Sequence, residues 1–89
     1  MLVMTVFMWD SADRDEVLKR RMEKGAMAPA GMKILGEWVD VSGGRVFRLS
    51  EVKDAKAMMA ATLAWTDLGV VDSSPVLETE EVMKIATGK

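Results

Sequence analysis

The first nine residues, Met-Leu-Val-Met-Thr-Val-Phe-Met-Trp, contain only one polar side chain, that of Thr5. In a β-strand, successive side chains point to opposite faces of the sheet. One face would carry Leu2, Met4, Val6 and Met8, and the other Val3, Phe7 and Trp9. Because both faces are apolar, both need cover, and such a strand is typical of the interior of a sheet. We expect the helices of this chain to cover one face and a second copy of the chain to cover the other.

Length and charge limit the classes of protein to which the chain can belong. Its 89 residues make one domain near the small end of what folds alone. The net charge of −2 argues against a general nucleic-acid binder, which usually shows a basic excess. No apolar run approaches the ~18 residues of a membrane span, and the first strand lacks the positive n-region of a signal peptide. We expect a cytoplasmic protein that binds neither nucleic acid nor membranes.

Several residue types are missing from the chain, namely His, Cys, Tyr, Asn and Gln. A low content of Asn, Gln and Cys is a tendency of thermophilic proteins, which suggests a thermophilic source. Without His there is no imidazole base near neutral pH and no imidazole ligand for zinc or haem. We therefore assign no catalytic residue, no metal site and no cofactor.

Periodicity and turn signals divide the chain into strands and helices. The predicted order is a strand, a helix, a hairpin of two strands, a helix, a strand and a short helix. The predicted bounds are residues 2–9, 12–24, 33–40, 45–50, from Ser50 or Asp54 to about 66, from Val70 onward, and from a cap at Thr79.

The predicted hairpin turns at Val-Ser-Gly-Gly, where the glycines are free to adopt positive φ. A loop of two or four residues places Trp38 opposite Phe47, and Glu37 opposite Arg48. These pairs favour the sheet through aromatic contact on one face and opposite charge on the other. A three-residue loop would break both pairs, so we predict the even loop.

The element order β-α-β-β-α-β predicts an α+β ferredoxin-like sandwich. Right-handed crossovers give a four-stranded antiparallel sheet of order 4-1-3-2 with both helices on one face. This domain would span residues 1–78, and residues 79–89 would form a short helical tail. Strand one is central, and its uncovered apolar face marks an interaction surface. Two such faces packed around a two-fold axis would give a homodimer, a dimeric α/β barrel.

The chain also resembles an uncharacterised family of small ferredoxin-like proteins over about residues 1–78. The resemblance rests on Met-Leu-Val-Met at the start, Ala-Pro-Ala-Gly-Met before strand two, Glu-Trp-Val-Asp, Arg-Val-Phe-Arg-Leu-Ser-Glu, and Trp-Thr-Asp-Leu after helix two. It implies the fold and says nothing about chemistry. The wider dimeric α/β-barrel class includes cofactor-independent monooxygenases, haem-degrading enzymes and small isomerases. The His ligand of the haem-degrading members is missing here.

The charged pair Glu37 and Arg48 is the most distinctive candidate site. We expect Trp38 and Phe47 to face the helices, which places Glu37 and Arg48 in the dimer barrel. A carboxylate and a guanidinium in an apolar cleft could orient a polar ligand or bind an acid. The alternative is a cross-strand ion pair that satisfies itself. The reversed arrangement is less favourable, because an ion pair buried under helices is costly without further partners.

The tryptophans are the second set of candidates. Trp9, Trp38 and Trp65 could form an aromatic wall of a ligand site, and we take Trp9 and Trp38, together with Glu37 and Arg48, as the candidate ligand-binding residues. The alternative is that each is a large core or interface anchor.

Three functions are compatible with these features. The leading hypothesis is a non-catalytic homodimeric module that binds a small amphipathic ligand or a protein partner. The second is a cofactor-independent enzyme of monooxygenase or isomerase type, with an apolar substrate in a barrel cavity of several hundred Å3. The third is a structural subunit whose tail docks on another chain.

Overall fold

The computed structural model of the protein describes residues 1–88. The elements are β1 (Leu2–Met8), α1 (Arg14–Lys24), β2 (Met32–Val39), β3 (Arg45–Val52), α2 (Ala55–Leu63), β4 (Val70–Pro75) and α3 (Thr79–Thr87), with a 3-10 turn at Ser11–Asp13. The predicted element order β-α-β-β-α-β with a C-terminal helix is confirmed. Among residues 1–88, no helix has both the length and the apolar character needed to cross a membrane.

The four strands form one antiparallel sheet in the order β2-β3-β1-β4. Counted from the opposite edge, this order is 4-1-3-2. β1 pairs with β3 on one side and with β4 on the other. The strand that is apolar on both faces therefore lies inside the sheet.

Helices α1 and α2 cover the same face of this sheet, which we call the covered face. Val17 of α1 packs with Phe7, Trp9 and Trp65 in one buried cluster. A second buried cluster joins Ala57 of α2 to Val3 and Val52. The prediction that the helices cover one face of β1 is confirmed, and the covered face is the one that carries Val3, Phe7 and Trp9.

Among residues 1–88, neither α1 nor α2 packs on the opposite face, which we call the open face. It carries the alternate side chains of the strands, including Met4, Val6, Met8, Trp38, Phe47 and Leu49. The side chain of Trp38 is 56% exposed and that of Met8 is 38% exposed. The Trp38 ring lies over Gly36, where an added Cβ would come 2.5 Å from Cη2 of the indole.

The hairpin has the predicted register. Glu37 lies opposite Arg48, and Trp38 lies opposite Phe47. The turn is closed by a hydrogen bond of 2.8 Å from the backbone N–H of Gly43 to the carbonyl of Asp40. Gly43 has a φ of +83°, which glycine adopts without strain. A bulge between Ile34 and Gly36, which the sequence does not predict, shifts the register toward the start of β2.

The helix ends follow from their caps. Asp54 accepts a hydrogen bond of 3.0 Å from the backbone N–H of Ala57, so Asp54 rather than Ser50 begins α2. Gly25 ends α1 with a φ of +70°. The predicted cap at Thr79 is wrong, because Glu78 occupies that position and makes no side-chain cap. No residue of α3 through Thr87 is buried.

Candidate ligand-binding site

A cavity of about 90 Å3 lies between the covered face and the two helices. All four strands contribute to its wall, and both helices close it from above. The lining is mostly apolar and includes Phe7, Trp9, Val17, Met58 and Trp65. The rings of Phe7 and Trp9 lie 5.3 Å apart, and those of Phe7 and Trp65 lie 5.6 Å apart. The cavity thus has an aromatic end.

One row of polar side chains crosses this apolar face. Strand pairing places Glu37 next to Arg48, Arg48 next to Thr5, and Thr5 next to Ser73. All four residues line the cavity. The row separates the two hydrophobic clusters, since Phe7 lies on one side of Thr5 and Val3 on the other. The cavity therefore combines a polar row with apolar walls.

Glu37 is held between two guanidinium groups. Nε of Arg48 donates to Oε2 at 2.8 Å, and Nη2 of Arg48 lies 2.7 Å from the same oxygen. Nε and Nη2 of Arg21 donate to Oε1 at 3.3 and 3.2 Å. The Arg48 side chain is 11% exposed, whereas that of Arg21 is 46% exposed. Since Arg21 belongs to α1, this network also ties the helix to the sheet.

The hydroxyls of Thr5 and Ser73 continue the row. Their oxygens lie 2.9 Å apart, and either can be the donor. A hydroxyl has one proton to donate. Because one proton is used between the two groups, the pair retains one O–H for another acceptor.

Two buried polar atoms have no hydrogen-bond partner among residues 1–88. They are Nε1 of Trp9, in the cavity wall, and Oγ of Ser50, one row away from Arg48 on β3. A buried donor without a partner costs free energy. The unpaired indole N–H of Trp9 marks the aromatic end as a second place where a polar group would be stabilised.

A second ion pair holds α1 and the end of α2 together above the cavity. Arg20 of α1 donates from Nη1 and Nη2 to the two oxygens of Asp67, at 2.7 and 2.6 Å. Nη1 of Arg20 also donates to the carbonyl of Ala64 at 2.9 Å. The hydrogen bonds from Arg20 lower the pKa of Asp67 below its ordinary value. The pair joins α1 to the segment that follows α2.

The hairpin tip carries a third charged group, which lies outside the cavity. The backbone N–H of Ser42 and the guanidinium of Arg45 donate to Asp40 at 2.9 and 2.7 Å. These hydrogen bonds lower the pKa of Asp40 to about 2. Asp40 thus holds the turn that sets the hairpin register.

The structure brings together three of the four candidates from the sequence. Glu37, Arg48 and Trp9 line the cavity. Trp38 does not, because it lies on the open face beside Phe47. Near Phe47, the guanidinium of Arg45 stacks 5.0 Å from the ring centroid.

The expected orientation of the hairpin is therefore wrong. Trp38 and Phe47 were expected under the helices, and Glu37 and Arg48 in the dimer barrel. Pairing of Arg48 with Thr5 places the charges on the helix side instead. The desolvation cost that argued against this arrangement is reduced because Glu37 pairs with a second guanidinium group, that of Arg21.

Sequence reasoning missed Arg21, Thr5 and Ser73. Arg21 sits in the run Lys-Arg-Arg of α1, which is typical of a solvated helix face. Thr5 did carry a signal, since it is the one polar side chain of an otherwise apolar strand. The position of Ser73 depends on how β4 pairs with β1.

The enzyme hypothesis expects a space of several hundred Å3 inside a dimer barrel. The cavity of about 90 Å3 lies in another place, within the single chain, and is smaller. Both oxygens of Glu37 are occupied by guanidinium groups. This carboxylate is therefore poorly placed to act as a general base.

Comparison with known proteins gives one finding. No curated protein and no solved structure matches the chain. The model of one family does match, and it includes the C-terminal helix that the motif resemblance left out. That family is described as a domain of unknown function, in agreement with the resemblance to an uncharacterised family. Because its model matches residues 1–89, the chain belongs to the DUF3303 family.

Proposed function

We propose that this domain is a cytoplasmic homodimer that binds a small amphipathic ligand between its sheet and helices. The observation that carries this proposal is the apolar cavity crossed by a polar row. Ligand sites are typically concave and mostly apolar, with a few polar groups that fix orientation. The thermophilic source suggested by composition stays a prediction.

The cavity volume limits the ligand. An engineered cavity of about 150 Å3 binds benzene. On that scale, a cavity of about 90 Å3 encloses about four non-hydrogen atoms. The apolar part of the ligand therefore matches a butyl group, with a polar head at the row of Arg48 and Thr5.

The homodimer is supported by the open face. Its centre is apolar, and its charged residues include both signs, namely Lys33, Arg45, Glu51 and Asp72. A face of this kind can pack against its own copy around a two-fold axis. The exposed Trp38 is the kind of aromatic anchor that is enriched at interfaces. In the ferredoxin-like arrangement, two open faces would form a dimeric α/β barrel.

The C-terminal helix supports a further role in assembly. Among its side chains, Val82, Met83 and Ile85 are 42%, 52% and 72% exposed. A second chain that packed against α3 would cover them. Removing residues 79–89 and measuring the oligomeric mass by light scattering tests this role, and an unchanged mass would contradict it.

Blocking the cavity tests the ligand-binding function. Ala61 of α2 lines the cavity, whereas the neighbouring Ala60 is exposed. In Ala61→Met the longer side chain would fill most of the space, and Ala60→Met is the matched control because both helix positions have the same propensity cost. The probes are pentanoate, pentanamide and 1-pentanol, and the readout is the indole N–H resonances of Trp9 and Trp65.

We expect at least one probe to shift both resonances saturably in the native chain and in Ala60→Met, but not in Ala61→Met. If no probe shifts them in the native chain, or if Ala61→Met binds as the native chain does, the proposed function is wrong.

A further inference from the structure

We infer that the ligand is a small monocarboxylic acid whose carboxylate binds Arg48 and the hydroxyl pair of Thr5 and Ser73. This inference rests on the proposed ligand-binding function, because it assigns the chemical class of the molecule in the same cavity. It is carried by the charge of the polar row and by its unused hydrogen-bond donors.

The charges of the row do not cancel. Arg21 and Arg48 bring two positive charges, and Glu37 brings one negative charge. The group therefore has a net charge of +1 at the side of an apolar cavity. Arg48 is only 11% exposed, and a charge that is largely removed from water is stabilised by an opposite charge. One carboxylate would neutralise the group, whereas a dianion would leave an excess of negative charge.

In the charged group of Arg21, Glu37 and Arg48, the hydrogen-bonding atoms that stay unused are donors. Guanidinium nitrogens occupy both oxygens of Glu37. A guanidinium carries five N–H donors and no acceptor. Nη1 of Arg48 makes no hydrogen bond to any residue in the described part of the chain, although the side chain is only 11% exposed. A ligand at this place must accept hydrogen bonds.

The hydroxyl pair adds a further donor in the same row. Thr5 is the direct neighbour of Arg48 on the adjacent strand. Opposite side chains on paired strands have Cβ atoms about 5 Å apart. One O–H of the Thr5 and Ser73 pair stays free when they bond to each other. A carboxylate has two acceptor oxygens, one for the guanidinium and one for the hydroxyl.

Other ligand classes fit this arrangement less well. A cation would meet the net positive charge and find no free oxygen on Glu37. A neutral amide or alcohol would accept a hydrogen bond but leave the excess positive charge uncompensated. Charge-assisted hydrogen bonds are about twice as strong as neutral ones. The acid is therefore favoured over its neutral isostere.

The test compares pentanoate with pentanamide, which have the same chain and nearly the same shape. At pH 7 pentanoic acid is ionised. Each compound is titrated into the full chain at constant ionic strength, and the indole N–H resonances are followed. Trp9 and Trp65 line the cavity, and Trp38 on the opposite face is the internal control.

We expect pentanoate to shift the Trp9 and Trp65 resonances saturably and to leave Trp38 unchanged. Pentanamide should bind at least about tenfold more weakly, which is the effect of one charge-assisted hydrogen bond. If both compounds bind with equal affinity, the acid inference is wrong and the ligand-binding function stands. If neither compound nor 1-pentanol shifts Trp9 and Trp65, both are wrong.

Two variants connect the preference to Arg48. Arg48→Met should abolish the preference for the acid. Arg14→Met is the control, because Arg14 at the start of α1 is 56% exposed and is not part of the cavity wall. If Arg48→Met does not fold, Arg48→Lys takes its place. It keeps the charge without the planar fork of donors, and its affinity for pentanoate should be severalfold weaker. An undiminished preference in a folded Arg48→Met would overturn the assignment.

Discussion

The two faces of the sheet are built from the same strands, yet they differ in charge and in whether the helices cover them. The covered face has apolar cover and contains a charged row in which Glu37 and Arg48 lie side by side. The open face has no charge at its centre and exposes Trp38 beside Phe47. We propose that the covered face binds a small anion and that the open face packs against a large apolar partner.

A single backbone register produces this division. Glu37 and Trp38 are neighbours in β2, so their side chains must point to opposite faces. A shift of one residue in the pairing would exchange them. The hairpin turn that sets the pairing of β2 with β3 therefore places Glu37 on the same face as Arg48, and Trp38 on the same face as Phe47.

The largest effect is expected at the open face. In Trp38→Glu a charge replaces the proposed interface anchor, and loss of such an anchor costs about 2–4 kcal/mol of association free energy. Light scattering should show a dimer for the native chain and a monomer for the variant. The control is Met59→Glu, since Met59 on α2 is also 56% exposed. A Trp38→Glu protein that stays dimeric would remove the assembly role of this face.

The next effect is expected within the polar row. Glu37→Met leaves Arg48, which is 11% exposed, without its carboxylate partner. Breaking a buried ion pair costs about 3–5 kcal/mol, and partial exposure here lowers the expectation to about 2 kcal/mol of unfolding free energy. The double variant Glu37→Met, Arg48→Met should lose less than the sum of the single variants in urea unfolding. Additive losses would mean that the two side chains do not interact.

A third comparison uses two valines of β1. Val3 is 1% exposed on the covered face, whereas Val6 is partly exposed on the open face. We expect Val3→Ala to lower the free energy of unfolding by about 2 kcal/mol. In the monomeric Trp38→Glu background, Val6→Ala should cost less than about 1 kcal/mol. Equal losses in that background would show that the open face is covered within one chain.

The smallest effect concerns the hairpin turn. The pKa of Asp40 is lowered from 3.8 to about 2, so the folded state favours the ionised carboxylate. Its contribution to stability is fully present above pH 3.8 and is lost as the pH falls toward 2. The urea midpoint should fall less over this range in Asp40→Ala than in the native chain. Asp15→Ala, at a highly exposed position, should behave like the native chain.

Much of the fold could be predicted because several signals agree. Val3, Phe7 and Trp9 alternate along β1, and all three are buried beneath the helices. The hairpin register followed from two complementary pairs, one aromatic and one charged. Local pairing preferences of this kind are visible in the sequence itself.

The face of the site could not be predicted by the same means. The hairpin register shows only that Glu37 and Trp38 point in opposite directions. Which of them meets the helices depends on how β3 pairs with β1, a contact between distant parts of the chain. Burial of the ion pair under the helices costs less than the sequence indicates, because Arg21 reaches Glu37 from α1.

The separation of the two faces can be tested in a single kind of spectrum. The indole N–H resonances of Trp9 and Trp65 report on the cavity, and that of Trp38 reports on the open face. We expect added pentanoate to shift Trp9 and Trp65 alone, and serial dilution through dimer dissociation to shift Trp38 alone. If both perturbations shift the same resonances, or if Trp38 responds to pentanoate and not to dilution, the two faces do not have separate roles.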